Sequence, residues 1–288
     1  MKANFAGCVI LYNPEKEDIA NILTYVNHVK KLYVFDNTES NSNQDRFEGI
    51  ENIAYFWDGV NKGLSVRLNE ACQKAIDDNF EFLLTMDQDS SFLEKNIAVY
   101  FDHALHYKEK DNVAVYGLEY KYAHQKVAED LIYVEKKDHV ITSASLINLK
   151  LYDSIGGFDE NLFIDGVDID YCYAALVKGY EIIQFKNNYF KHSLGEPVKR
   201  RSIFTFFLLK KINNIHSPLR IYYMHRNRLY LEQKYKAKLP KVVIGMVKNY
   251  KHNIAKSIKH SENIFLALRF KRKAENDFKS NRMGKIQL

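Results

Sequence analysis

Between residues 5 and 87 the chain repeats one arrangement: a short apolar run, a polar residue that ends it, and often a stretch with apolar residues at helical spacing. FAGCVILY (5–12) is followed, past Asn13-Pro14, by Ile19, Ile22, Leu23 and Val26 at that spacing. LYVFD (32–36), NIAYFW (52–57) and FEFLLTM (80–86) are further predicted strands, and 64–78 is a predicted helix with Leu68, Ala71, Cys72 and Ala75 inward. Short apolar runs alternating with helical periods make βαβ units, and so a mostly parallel sheet. The expected fold class is α/β, Rossmann-like, with helices on both faces.

Later segments predict a helix near 94–107, strands near 112–118, 131–134 and 139–147, a break at Gly156-Gly157, a helix near 168–178 and strands within 180–192. Here antiparallel strands are expected to join the sheet. From about residue 200 the pattern turns helical, and Val243, Val247, Tyr250, Ile254 and Ile258 form an apolar stripe flanked by lysines. The expected division is a catalytic domain over 1–200 and a basic helical C-terminal region over 201–288.

With 46% hydrophobic residues over 288 positions, the chain can bury a large core, which excludes disordered and collagen-like classes. Charge is unevenly placed: residues 1–190 hold 18 Lys+Arg against 31 Asp+Glu, and residues 191–288 hold 24 against 5. An acidic catalytic part followed by a basic segment that meets anionic phosphates or lipid head groups is one reading; a solvated basic helix face is the other. Cys8, Cys72 and Cys172 are widely spaced and odd in number, which argues for a reducing compartment. The first residues lack a leader's cleavage pattern, and the longest apolar candidate, SIFTFFLLKKI, is cut by Lys210 and Lys211. The expected location is cytoplasmic, with peripheral contact to the membrane's inner face through the basic tail, where Phe204, Phe206, Phe207, Leu208 and Leu209 adjoin those lysines.

In an open parallel sheet, ligands bind beyond the carboxyl ends of the strands, which directs attention to Asn13, Asp36-Asn37, Asp58 and Asp87-Gln88-Asp89. Asp87 and Asp89 follow a buried strand, and two carboxylates at that spacing can share a face and hold Mg²⁺ or Mn²⁺. Spacing alone is weak: about one Asp-x-Asp is expected by chance, and the chain has two. The bland alternative is a turn in which Ser90 or Ser91 starts the next helix. No GxxxxGK[ST], GxGxxG after a strand, GxSxG, HExxH or zinc-spaced Cys/His cluster occurs. A second acidic cluster, GGFDENLFIDGVDIDYC (156–172), sets Asp159, Glu160, Asp165, Asp168 and Asp170 among aromatics. Desolvation there would raise a carboxylate's pKa and make it a better base; helix N-terminal acids are the alternative account. His192 follows a predicted strand, and a lone His is more often a structural hydrogen-bonder than a ligand.

Taken in order, VILYNP (9–14), VFDNT (34–38), NKGLSVRLN (61–69), MDQDS (86–90), ITSASLI (141–147), the 156–172 segment, KHSLG (191–195) and YYMHRN (222–227) resemble inverting family 2 glycosyltransferases of the GT-A fold, in their bacterial rhamnosyltransferase-like branch. The resemblance covers about residues 5–230. It implies that Tyr12 and Asn13 lie at the nucleotide, that Asp36 accepts from the base imide, and that Asn61, Lys62 and Asn69 border the ribose and diphosphate. It further implies Asp87 and Gln88 near the donor, Asp89 as main metal ligand with Asp87 and His192 completing the site, and Mg²⁺ or Mn²⁺ as cofactor. Asp168 aligns with the catalytic base, while Asp165, Asp170 and Ser143 fall on the acceptor side. Ala174 stands where relatives often have Arg, and Ala144 where Gly is common. The implied partners are a dTDP- or UDP-sugar donor and a saccharide or polyprenyl-diphosphate-linked acceptor, with no nucleic acid. dTDP-rhamnose is the first choice of donor, with UDP-galactofuranose or another UDP-hexose behind it. Competing classes are a metal-dependent nucleotidyltransferase, for which LYNPEKED lacks a Gly-rich loop, and a non-catalytic membrane- or nucleic-acid-binding protein, which leaves 156–172 without a purpose.

Overall fold

A computed structural model describes residues 4–121, 132–192, 197–201, 210–214 and 216–287. The chain divides into two compact units, residues 1–193 with 284–288, and residues 194–283. The first unit runs β1 (Phe5–Leu11), α1 (Lys16–Leu23), β2 (Lys31–Asp36), β3 (Ile53–Trp57), α2 (Gly63–Asp77), β4 (Phe82–Asp87), β5 (Ser90–Phe92), α3 (Glu94–Leu105), β6 (Val113–Lys121), β7 (Tyr133–Lys137), β8 (Ser145–Asn148), α4 (Leu149–Ile155), α5 (Val167–Val177) and β9 (Glu181–His192). The second holds β10 (Pro197–Arg201), β11 (Lys210–Asn214), α6 (Pro218–Tyr235), α7 (Pro240–His260) and α8 (Ile264–Lys279).

Nine strands form one sheet in the order β3-β2-β1-β4-β8-β6-β9-β5, with β7 also paired to β9. The strands β3, β2, β1 and β4 are parallel, and β8 enters antiparallel between β4 and β6. Covering both faces of a parallel sheet demands near-continuous apolar strands, and six of the seven β1 residues are indeed buried. Phe5, Val9, Leu84, Tyr100, Tyr116 and Phe185 join in the main core.

The α/β expectation holds. Three local differences have physical causes. Only 145–147 of the predicted 139–147 strand is paired, because β8 lies antiparallel to β4 with Thr85 opposite Ser145, and the chain turns away before that point. Ser90 opens no helix: it pairs in β5 opposite His192, and the N-cap of α3 is Leu93. The segment expected to turn helical near residue 200 begins instead with the β10–β11 hairpin, Pro197 opposite Asn214. Phe204, Phe206, Phe207, Leu208 and Leu209 lie outside the described residues.

In the second unit Val243, Tyr250 and Ile254 point inward, as the stripe predicts, while Val247 and Ile258 are half-buried. YYMHRN lies in α6 as a packing motif. Arg226, without exposed surface, donates to Tyr222 Oη (3.0 Å), which donates to Asp277 (2.8 Å), and His225 pairs with Glu275 (2.9 Å). A buried guanidinium is tolerable only with such partners.

Candidate active site

The carboxyl ends of β1, β2 and β4 open on one edge of the sheet, because parallel register sets Ile10 beside Asp87 and Leu11 beside Asp36. After Asp87 the chain turns through Gln88-Asp89 into β5, whose antiparallel pairing with β9 places Ser90 opposite His192. That register brings a histidine about a hundred positions away onto the acidic pair. One ligand atom from each of Asp87, Asp89 and His192 lies within 4.8 Å of the others. His192 Nδ1 is 2.7 Å from Ser90 Oγ and 3.2 Å from Asp89 Oδ1. Burial by itself would lower the imidazole pKa, but the Asp89 hydrogen bond and the charges of Asp89 and Asp87 together raise it. Two carboxylates and one imidazole suit Mn²⁺ or Mg²⁺.

Gln88 holds the turn: its Oε1 accepts from Tyr12 N–H (2.8 Å), and its Nε2 donates to Tyr12 O (3.3 Å) and to Asp18 (3.2 Å). The Tyr12 ring stays half-exposed at the edge. Asn13 adopts a left-handed φ of 46°, and its N–H donates to Thr38 Oγ1 (2.8 Å). A cleft of about 420 Å³ beside it is lined by Asn13, Thr38, Ser42, Asn43 and Arg46.

Asp36, expected to face a base, is buried without exposed surface. Its Oδ2 accepts from Tyr55 Oη (2.6 Å) and Asn43 Nδ2 (2.8 Å), and its Oδ1 from Thr38 N–H (2.8 Å). It therefore anchors the cleft wall. Asn69, expected near the diphosphate, pins the 157–160 loop. Its Oδ1 accepts from Tyr152 Oη and Phe158 N–H, and its Nδ2 donates to Phe158 O and Glu160. Lys62 sits with its ammonium on Asp58 (2.7 Å) and Glu70 (3.2 Å), and Asn61 Oδ1 accepts from Gly63 N–H (3.0 Å). Ser143, expected on the acceptor side, is buried, and its hydroxyl accepts from Asp87 N–H (3.2 Å), which ties it to the turn that carries the acidic pair.

Gly166 caps α5 at φ 77°, after Asp165 at φ 74°, and this double left-handed turn delivers Asp168 and Asp170 into the helix's first turn. Asp168 is partly buried and lines a small cavity with Thr85, Thr142 and Cys172, next to the carboxyl end of β4. Burial raises its pKa, the Asp165 carboxylate adds to this, and the charge of His139 and the Ile169 N–H oppose it. Asp170 is buried.

No protein-family model matches the chain. The curated dTDP-rhamnosyl transferase RfbF of Shigella flexneri is 24% identical over 253 residues, 81% of this chain and 81% of that protein. The solved structure of GalNAc-T7 with UDP, GalNAc and Mn²⁺ matches 66% of this chain with a TM-score of 0.53 at 10% identity. This chain has the GT-A fold. It spans 44% of the GalNAc-T7 chain, so that likeness is one of fold. The S. aureus TarS structure of residues 1–349 matches 96% of this chain and 92% of its own, with a TM-score of 0.47 at 14% identity. The family 2 resemblance read from the motifs agrees with the RfbF match and with the fold.

Sequence reasoning passed over two residues beside these sites. Arg67, within NKGLSVRLN, is buried, and its guanidinium donates to Asn37 (2.9 Å), Glu70 (2.8 Å), Asp58 (2.6 Å) and Val60 O (3.1 Å). Burial alone would raise the Asp58 pKa, yet the hydrogen bonds from Arg67 and Lys62 hold it well below the usual range. An arginine on the inward face of a predicted helix, near Asp58 and Glu70, was the available signal. His139, whose Nδ1 is 2.9 Å from Asp138, carried no such signal, because its charge reaches Asp168 only through the fold.

Proposed function

We propose that the enzyme transfers a sugar, with dTDP-rhamnose as first-choice donor, to a saccharide or polyprenyl-diphosphate-linked acceptor with inversion. The observation that carries this reading is the meeting of Asp87, Asp89 and His192 beyond the carboxyl end of β4. The rhamnosyl choice is supported by the match to the dTDP-rhamnosyl transferase RfbF.

In the proposed reaction Asp168 accepts the proton of an acceptor hydroxyl as that oxygen bonds to the anomeric carbon. The bond from that carbon to the diphosphate oxygen breaks in the same step, and the nucleoside diphosphate leaves. A pKa raised by burial makes Asp168 a stronger base than a solvated carboxylate. Asp87, Asp89 and His192 would hold a divalent cation, which supplies charge neutralisation for the departing diphosphate. The half-exposed Tyr12 ring and the cleft beside Asn13 fit the nucleoside.

Thermal unfolding of the full chain with UDP, dTDP, GDP or CDP, each with and without Mn²⁺, tests the reading, because a ligand that binds the native state raises Tm. A Mn²⁺-dependent rise with dTDP is expected. A rise with UDP alone would replace the donor, and no rise with any of the four would reject the assignment.

A further inference from the structure

We propose that the turn between α7 and α8, with the first two turns of α8, is a docking surface for an anionic lipid membrane. The inference is independent of the sugar and goes beyond the transfer reaction.

The inward side of α8 is marked by buried Ala267, Ala274 and Asp277. Around Ala267, four large apolar residues are exposed: Ile264 is 45% exposed, Phe265 87%, Leu266 37% and Leu268 47%. Isolated exposed apolar residues are ordinary, but four within five positions form a patch that water solvates poorly. Helical spacing places Phe265 and Leu268 on one face with Arg269 and Arg272, both exposed. The last turn of α7 adds Lys259 and His260. Apolar anchors flanked by cations one turn away are what an interfacial helix needs, with side chains in the acyl boundary and cations among phosphates.

The surrounding charge favours the same occupant. Residues 240–260 carry five lysines and no acid. In α8, Glu275 is held by Lys271 (2.8 Å) and His225 (2.9 Å), and Asp277 by Lys273 (3.2 Å) and Arg282 (2.8 Å). Both carboxylates are thus neutralised locally, and Glu262 is the only other acid between 240 and 279. A symmetric contact between two copies would set Arg269 and Arg272 against cations of the same kind, whereas an anionic bilayer attracts them. No helix among the described residues is long and apolar enough to cross a membrane, so the contact would be peripheral.

Sedimentation of the full chain with phosphatidylcholine vesicles, and with vesicles also holding about 30% phosphatidylglycerol, tests this surface. The expected result is pelleting with the anionic vesicles, weakened by high salt. Phe265→Ser should lower the partition coefficient roughly tenfold or more, as removal of one inserted aromatic side chain implies. Arg269→Gln/Arg272→Gln should lower it about tenfold while leaving thermal unfolding unchanged. Absence of pelleting with anionic vesicles, or wild-type pelleting by both variants, would overturn the proposal. So would a dimer in size-exclusion chromatography that Phe265→Ser makes monomeric, because the patch would then cover a second copy.

Discussion

Gly63 begins α2 at a φ of +81°, and a Cβ there would sit 2.5 Å from both the Phe163 ring edge and the Phe163 carbonyl oxygen. That carbonyl accepts from Leu64 N–H (2.7 Å), and Ser65 Oγ donates to Leu162 O (2.6 Å), so α2 and the 162–163 loop are joined at this point. Gly63→Ala must move backbone that leads directly to Asp165 and Asp168. The left-handed φ costs an L-residue about 1 kcal/mol, and loss of the two hydrogen bonds costs about 1 kcal/mol each, for a total of about 3 kcal/mol. Gly49 provides the internal control, because its φ is +79° and nothing lies within 4 Å of its Cβ position. Gly49→Ala should therefore lose only the conformational part, about 1 kcal/mol. Urea unfolding of the two variants isolates the contact as a difference of about 2 kcal/mol. Equal destabilisation by the two substitutions would refute the reasoning, since backbone conformation alone would then account for both.

Asp168→Asn should cut transfer by two or more orders of magnitude, roughly what general-base catalysis supplies, and leave the nucleotide-induced Tm rise intact, as rate assays and thermal unfolding would report. Ala144 is buried at a φ of +57°, so Ala144→Gly should stabilise by up to about 1 kcal/mol in the same urea assay. In the second unit, hydrogen bonds from Lys271 and His225 hold the Glu275 pKa down at about 2. A depressed carboxylate pKa contributes stability that is present above the ordinary value of 4.5 and lost as pH falls toward 2. Urea midpoints measured from pH 5 down to pH 3 should fall, and Glu275→Gln should flatten that fall.

Strands β1, β2 and β4 were readable because a strand buried on both faces must be apolar throughout, a local property that survives any packing. The same logic put Asp87 and Asp89 at a strand end, where a parallel sheet leaves room for a ligand. Three candidate residues whose protein partners were not readable share a different character. Asp36, Asn69 and Ser143 were chosen by motif position, yet Tyr55, Tyr152 and Asp87 reach them from distant parts of the chain and use their hydrogen-bonding capacity. Nothing within a few residues of a polar side chain says whether its partner will be protein or ligand. Residues 197–201 and 210–214 show the same limit, because apolar and basic residues in short runs serve paired strands as well as a helix.

From its sequence alone the chain was determined to be a wound α/β protein with acids at a strand end and an uneven charge, since periodicity and composition act locally. That His192 lies beside the acidic pair was, in the sequence, only what a resemblance implied, and tertiary structure decided it. The antiparallel register of β5 on β9 sets that meeting, and a shift of one residue would turn the imidazole to the opposite face of the sheet.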